Sequence, residues 1–279
     1  MCVIWGIPYL LIRVAVREVS PAMLVFVRSG AAALALLPLA AARDELVPVL
    51  RRWAPLLAFA MIEIAIPWLL LSSAERRVSS SLAALLIAAT PFVGVALAAA
   101  TRGERFGTRR LGGLLVGIVG VGAIVGLDIS HTSKVGLAEM AGVVVGYATG
   151  PWLLHRYLDD LPSLGVIAAS LTISALVYAP IAAFQIPSAV PSGRVLASIV
   201  VLAAVCTAIA FVLFFQLIAE AGPVRATVIT YVNPAVAAIL GVAVLSERFT
   251  VGMGAGFVLV LAGSVIATAR ARQTVVAEP

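Results

Sequence analysis

The sequence predicts an all-α integral membrane protein. Hydrophobic residues make up 62% of the 279 residues, charged residues only 11%, and the mean hydropathy is +1.13. This is more apolar surface than one water-soluble core can bury. The apolar runs are long and continuous rather than alternating, which favours helices over a transmembrane barrel. Because one span needs about 20 apolar residues, we predict ten transmembrane helices joined by short loops.

The ten predicted helices follow the apolar runs of the chain. They cover residues 1–16, 22–41, 54–74, 81–100, 111–127, 136–155, 163–184, 195–219, 224–245 and 251–269. With both termini inside, eleven of the 19 cations fall in inner loops or the C-terminal tail, and six fall in outer loops. The positive-inside rule therefore predicts cytoplasmic termini.

Two matched features indicate that the chain consists of two related halves. Glu104-Arg105-Phe106 and Glu247-Arg248-Phe249 lie 143 residues apart, and Pro91 and Pro234 have the same separation. Five predicted crossings, an odd number, separate the copies, so equivalent segments run through the bilayer in opposite directions. An inverted repeat of this kind indicates a transporter.

The first predicted helix is short compared with its counterpart in the second half. Pro21 matches Pro162 at an offset of 141 residues, and helix six begins near Gly136. The same offset places the start of helix one about five residues before Met1. We therefore expect the true N-terminus to lie upstream of Met1.

Three features carry a family resemblance: Trp5-Gly6 in helix one, Arg28 in helix two, and the repeated ending Glu-Arg-Phe. Together they resemble the EamA-like family of the drug/metabolite transporter superfamily. The resemblance covers two five-helix repeats, 1–127 and 136–269, and leaves 270–279 as a short cytoplasmic tail. It implies an inverted five-plus-five repeat in the plasma membrane, the inner membrane of a bacterium, and transport of small metabolites or drugs.

Glu63 and Arg28 are ionisable residues inside predicted spans. Glu63 lies about nine residues, or roughly 13 Å, into helix three, which places it near the midplane. A carboxyl group there is costly unless it is paired, protonated or facing water, so it is a functional candidate by default. Two interpretations stay open, which are proton coupling through Glu63 and a structural ion pair between Glu63 and Arg28.

Pro91 and Pro234 predict helix breaks, because each removes the hydrogen bond to the carbonyl four residues earlier. Broken helices at matched positions of two halves commonly mark a transporter's binding site. Tyr231 and Asn233, beside Pro234, are therefore predicted to contact the substrate. The alternative is a tolerated kink with Asn233 bonded to a neighbouring helix.

The aromatic residues divide into two groups by depth. Trp68 and Trp152 lie near predicted helix ends, where aromatic belts are expected. Trp5 and Tyr147 lie deeper, in helices one and six, which the repeat makes equivalent. We predict that this pair faces the substrate cavity.

Glycines at small-xxx-small spacing predict close helix packing. Helices five and ten carry the pattern at comparable places, Gly113/Gly117 and Gly252/Gly256 among them. The resemblance implies that these helices are either supports or the surface of a homodimer.

Several functions are excluded or disfavoured by what the sequence lacks. It contains no Gly-x-x-x-x-Gly-Lys-Ser/Thr segment, and its only lysine is Lys134, which argues against pumping driven by ATP. No metal constellation, cofactor motif or nucleophile beside a base is present, and the cations lie in short loops, which disfavours nucleic acid. The leading interpretation is a secondary transporter, not an enzyme, that exports small metabolites or drugs by proton coupling or exchange. A passive facilitator or channel is the alternative, with a membrane-embedded enzyme third.

Overall fold

The computed structural model of the chain describes residues 1–102, 107–126, 133–221 and 229–268. All regular secondary structure in these ranges is helical. A helix satisfies its backbone hydrogen bonds internally, as the interior of a lipid bilayer requires. The predicted all-α class is confirmed. The Glu104 motif and the predicted tail 270–279 lie outside the described residues.

The helices of the first half begin near the N-terminus and end before residue 127. They are α1 (Cys2–Ala15), α2 (Pro21–Ala41), α3 (Leu46–Arg51), α4 (Trp53–Phe59), α5 (Ile66–Ala74), α6 (Ser80–Ile87), α7 (Thr90–Arg102) and α8 (Thr108–Val125). A π-helical segment, π1 (Ala60–Ala65), joins α4 to α5.

The second half has a corresponding arrangement. Its helices are α9 (Lys134–Tyr157), α10 (Ser163–Ala183), α11 (Gly193–Ala203), α12 (Ala210–Ala221), α13 (Ile229–Leu245) and α14 (Val251–Thr268). A second π-helical segment, π2 (Ala204–Ile209), joins α11 to α12.

Within the described ranges, eight continuous or nearly continuous helical stretches are long and apolar enough to cross a membrane. They are Pro21–Ala41, Trp53–Ala74, Ser80–Thr101, Thr108–Val125, Lys134–Tyr157, Ser163–Ala183, Gly193–Glu220 and Val251–Thr268. Cys2–Ala15 and Val232–Leu245 are shorter apolar helices, at the places of the first and ninth predicted spans. The prediction of ten crossings therefore rests on these two shorter helices.

Contacts between the halves are extensive. Helix α2 packs along α10, α8 along α14, and α1 along α13. One buried apolar cluster includes Ile12, Leu85 and Leu202, and another includes Val25, Leu56 and Leu171. Both clusters contain residues of both halves, so neither half has a core of its own.

Glycines bring α8 and α14 into close backbone contact. A methyl group at Gly120 would lie 2.7 Å from the backbone nitrogen of Val260 and 2.8 Å from the carbonyl oxygen of Gly256. Gly113 similarly packs against the backbone of Gly263. Small residues permit such close approach in lipid. These glycines are covered within one chain, so the structure places them in intramolecular packing rather than on a homodimer surface.

Glu247 links the second half to the start of α6 in the first half. Its Oε1 accepts hydrogen bonds from the backbone nitrogen of Ser80 (2.7 Å) and its hydroxyl (3.0 Å), and its Oε2 accepts from the nitrogen (2.9 Å) and hydroxyl (2.6 Å) of Ser81. Partial burial would raise the pKa of Glu247, but these hydrogen bonds outweigh burial and hold the pKa below its usual range. The carboxylate thus satisfies the free donors of a helix N-terminus.

We expect Gly120→Ala to lower the free energy of unfolding by about 1–3 kcal/mol, because the new methyl group overlaps backbone that has little room to move. Gly122→Ala is the matched control, since no atom lies within 4 Å of the position its methyl group would occupy. Thermal unfolding of the purified variants in detergent measures the effect. Equal stability of the two variants would contradict the packing.

Candidate functional site

A buried polar cluster surrounds Arg28, where the two halves meet. Arg28 is the eighth residue of α2, roughly 10 Å along the helix from its start. Its side chain is almost fully buried, at 7% exposure. Its Nε donates a hydrogen bond to the Thr207 hydroxyl (2.9 Å), and its guanidinium carbon lies 3.7 Å from the centroid of the Trp68 ring. One contact comes from each half.

The Thr207 hydroxyl accepts this hydrogen bond because it donates its own proton to another acceptor. The Thr207 hydroxyl donates to the carbonyl oxygen of Leu202 (2.8 Å), five residues earlier in the chain. That five-residue reach follows from the π-helical geometry of π2. The hydroxyl is thereby fixed with a lone pair toward Arg28.

The two terminal amino groups of Arg28 have no acceptor among the described residues. Neither is among the fully enclosed polar atoms that lack a partner. Both amino groups therefore keep some accessible surface and are free to donate to a partner. Tyr9, Tyr147, Cys206 and Glu75 supply the other polar side chains within electrostatic range of the guanidinium.

Glu63, on π1, has a carboxyl oxygen with no partner. Its Oε2 is fully enclosed and forms no hydrogen bond within the described part of the chain. The Glu63 side chain fills the space above Gly150 of α9, where a methyl group would collide with the carboxyl group. Glu63 and Arg28 form no ion pair in the described part of the chain, and the Arg28 Nε donates to Thr207 instead.

Glu75 is a second enclosed carboxyl group, and sequence reasoning missed it. It follows α5 directly and is 0% exposed, and neither carboxyl oxygen has a partner among the described residues. Arg13 donates to its backbone carbonyl rather than to its side chain. The adjacent Arg76 and Arg77 make the sequence look like a surface turn, which concealed the burial of Glu75.

The aromatic-belt interpretation of Trp68 is wrong. Trp68 is 6% exposed, and its ring centroid lies 3.7 Å from the guanidinium carbon of the buried Arg28, so it belongs to the interior. Trp5, predicted to face a cavity, packs against Phe211 (5.8 Å between ring centroids) and Phe214 (4.7 Å) of α12. Tyr147 lies near Arg28 and Glu63.

Asn233 connects α13 to α1. Its side-chain amide faces the carbonyl oxygens of Cys2 (2.8 Å) and Ile229 (3.1 Å), so we assign the nitrogen to that side, where it donates to both. Pro234 lies inside the continuous helix α13. Tyr231 belongs to the same helix, but its side chain lies outside the described part of the structure.

Pro91 lies at the second position of α7, after an interruption that separates α6 from α7. The Thr90 hydroxyl donates to the carbonyl oxygen of Ile87 (2.6 Å), which supplies a partner at the end of α6. The two prolines, equivalent in the sequence, therefore occupy different local structures.

The π-helical segments occupy matched positions of the two halves. Ala60–Ala65 and Ala204–Ile209 are 144 residues apart, and the same interval separates Glu63 from Thr207. Short π-helical turns are rare and often lie at functional sites. Both of these carry a polar residue of the cluster.

Two open clefts lie apart from this cluster. One of about 230 Å³ is lined by Leu39, Arg43, Leu164, Val212, Phe215, Gln216 and Ala219. Another of about 300 Å³ is lined by Pro21, Ala22, Leu69, Leu70, Ser73, Glu139, Tyr178, Ile181 and Gln185. Within the described ranges, no group of three or more His, Cys, Asp or Glu residues is placed to hold a metal ion.

Apolar helices that enclose ionisable side chains define a polytopic membrane protein with an internal polar site, the architecture of a membrane transporter. Comparison with known proteins agrees. The chain belongs to the EamA-like transporter family, whose model matches residues 1–126 and 134–269.

Individual relatives are consistent with this family. The chain is 30% identical over 262 residues to the "Uncharacterized inner membrane transporter YedA" of Escherichia coli K12, covering 89% of this chain and 81% of the relative. The YedA proteins of E. coli O6:H1 and O157:H7 match equally. A solved crystal structure with 20% identity and a TM-score of 0.65 covers 96% of both chains, which shows a shared fold.

We expect Gly150→Ala to impair transport, because the added methyl group displaces the Glu63 side chain from its enclosed position. Overpacking of this kind costs about 1–3 kcal/mol. Gly142→Ala on the same helix is the control, since its methyl group would meet only the tip of the flexible Leu70 side chain. Transport rates of the two variants in proteoliposomes, at equal protein content, make the comparison. Equal rates would contradict a role for the placement of Glu63.

Proposed function

We propose that the protein is a secondary transporter that exports small metabolites or drugs across the bacterial inner membrane by proton coupling or exchange. The observation that carries the proposal is the set of buried ionisable side chains at the junction of the halves, above all Glu63 with an unpartnered carboxyl oxygen. Such groups are costly in a membrane and are retained where they serve a pathway or a proton relay. A relative named as an inner membrane transporter supports the location.

The proposed framework is ten crossings arranged as an inverted five-plus-five repeat. Three observations support it: the family match in two segments, the matched π-helical segments, and the pairing of α2 with α10 and of α8 with α14. Each pair joins elements at equivalent places in the two halves, as a two-fold axis in the membrane plane requires. The distribution of Arg residues supports cytoplasmic termini.

Cysteine labelling tests this framework. Single cysteines in the turns at Glu104 and Glu247, introduced into a Cys2→Ser, Cys206→Ala background, should react with a membrane-impermeant maleimide from opposite sides of the membrane. The inverted repeat places these equivalent turns on opposite faces. Labelling of both turns from one side would refute it.

We propose that the substrate occupies the junction of the halves, near the interruption at Pro91 and beside Pro234. Trp5, Tyr147, Tyr231 and Asn233 are the proposed contacts. Tyr147 has the strongest support, since it lies close to Arg28 and Glu63. Asn233 is held by the carbonyl of Cys2 in this structure, so substrate contact there would require that hydrogen bond to exchange.

We propose that Glu63 carries the coupling proton. A protonated carboxyl group is tolerated in an apolar site, whereas an ionised one needs a partner or water. Loss of the proton would therefore favour the arrangement of the halves in which Glu63 meets water. That difference couples the proton to the rocking of the halves.

We expect Glu63→Gln to abolish proton-driven transport while leaving the fold intact, because glutamine keeps the shape of the side chain but carries no exchangeable charge. The substrate is first identified from metabolites that differ between cells lacking and cells overproducing the protein. Its pH-gradient-driven transport is then measured for Glu63→Gln and for the exposed control Asp159→Asn. Unchanged transport with lowered thermal stability would assign Glu63 a structural role and favour a passive facilitator.

A further inference from the structure

We propose that Arg28 binds an oxyanion of the transported molecule, so that the substrates are small organic anions carrying a carboxylate or a phosphate. This inference rests on the proposed transport function and specifies its substrate class. It depends on how the guanidinium is held, on its charge balance, and on its neighbours.

The guanidinium is held in one orientation by contacts that leave its binding edge free. Thr207 engages Nε, and Trp68 covers one face at 3.7 Å. The two terminal amino groups have no acceptor in the described part of the chain, and neither is fully enclosed. A planar guanidinium binds a carboxylate or phosphate through two parallel hydrogen bonds. An orientation fixed in advance reduces the entropy lost on binding.

The charge balance of the cluster also favours an incoming anion. Arg28 has no carboxylate within ion-pair distance among the described residues, although Glu75 lies within electrostatic range. A buried cation without a close counter-ion is costly. An anionic substrate would supply the missing partner, whereas a cationic substrate would add a second positive charge.

The neighbouring hydroxyl groups suit the same ligand. Tyr9 of α1 and Tyr147 of α9 lie within electrostatic range of the guanidinium, and neither hydroxyl donates a hydrogen bond to a described residue. Each is available to donate to the remaining lone pairs of an oxyanion. The indole of Trp68 adds an apolar surface beside the site. In this proposal Arg28, Tyr9 and Tyr147 would together supply donors from both halves.

Efflux from proteoliposomes tests the inference. Vesicles containing the full chain are loaded with a deproteinised cytoplasmic metabolite extract, and the molecules that leave are identified by mass spectrometry. Wild type is compared with Arg28→Gln, Arg28→Lys and the control Arg194→Gln, which lies in the first turn of α11 away from the cluster. Empty vesicles give the leak of each molecule.

We expect the exported molecules to carry a carboxylate or phosphate, and their identities to show which. Arg28→Gln should reduce their efflux roughly 10- to 100-fold, the effect of losing hydrogen bonds between charged groups. Arg28→Lys should retain part of it, and Arg194→Gln all of it. If Arg28→Gln does not fold, Arg28→Lys decides: reduced efflux at unchanged thermal stability supports the inference, and full efflux overturns it.

Two other results separate failure of this inference from failure of the proposed function. Export of neutral or cationic molecules only, or of anions equally by wild type and Arg28→Gln, would overturn the anion site while leaving the transporter intact. No export of any molecule by wild type would contradict the transport function and, with it, this inference.

Discussion

The contact of Arg28 with Thr207 and Trp68 is the interaction on which the centre of this protein depends. Hydrocarbon offers no hydrogen bonds, so a cation deep in a membrane protein needs partners from the protein itself. Trp68 of the first half and Thr207 of the second supply them. Separation of the halves would remove the hydrogen bond, so the burial of one charge ties the two halves together at their junction.

The π-helical segments explain which polar side chains reach the junction of the two halves. A π-helical turn shifts the side chains that follow it around the helix axis and changes which carbonyls are free. In π2 this lets Thr207 bond to Leu202 and still accept from Arg28. In π1 it presents Glu63 to Gly150 on the facing helix. Two segments of the same kind thus deliver a hydroxyl from one half and a carboxyl group from the other.

Composition and the length of apolar runs were sufficient to predict the helical membrane class, because every transmembrane helix must cross the same thickness of hydrocarbon. The motif pair at Glu104 and Glu247 indicated two halves for a similar reason, since a duplicated segment keeps its turns. The interior was harder to predict. Trp68 and Glu75 lie near helix ends in the sequence, yet both are buried in the folded chain, where Arg28 and Arg13 of the same half contact them.

The π-helical segments were not predicted either. Their residues have ordinary helical propensity, and the extra residue that widens a π-helical turn is selected by tertiary packing rather than by local sequence. Asn233 illustrates the same limit. A polar residue beside a proline indicates a special position, but the sequence gives no sign that the carbonyl of Cys2 is its partner. The polar and ionisable residues that are energetically costly to bury were therefore easier to identify from sequence than the residues that each of them contacts.

Polar contacts join the two halves at both ends of the helices, which bears on how they would move. Near the start of α2, Glu18 accepts hydrogen bonds from Ser192; beyond its other end, Arg52 forms a two-pronged ion pair with Asp160. Solvent-exposed pairs of this kind contribute only about 0–1 kcal/mol each. These two contacts can therefore separate at modest cost, whereas the part-buried Glu247 carboxylate, with four hydrogen bonds to Ser80 and Ser81, holds the halves more firmly. The proposed rocking of the halves would have to break contacts of both kinds at one end of the helices and leave the Arg28 contact at the centre in place.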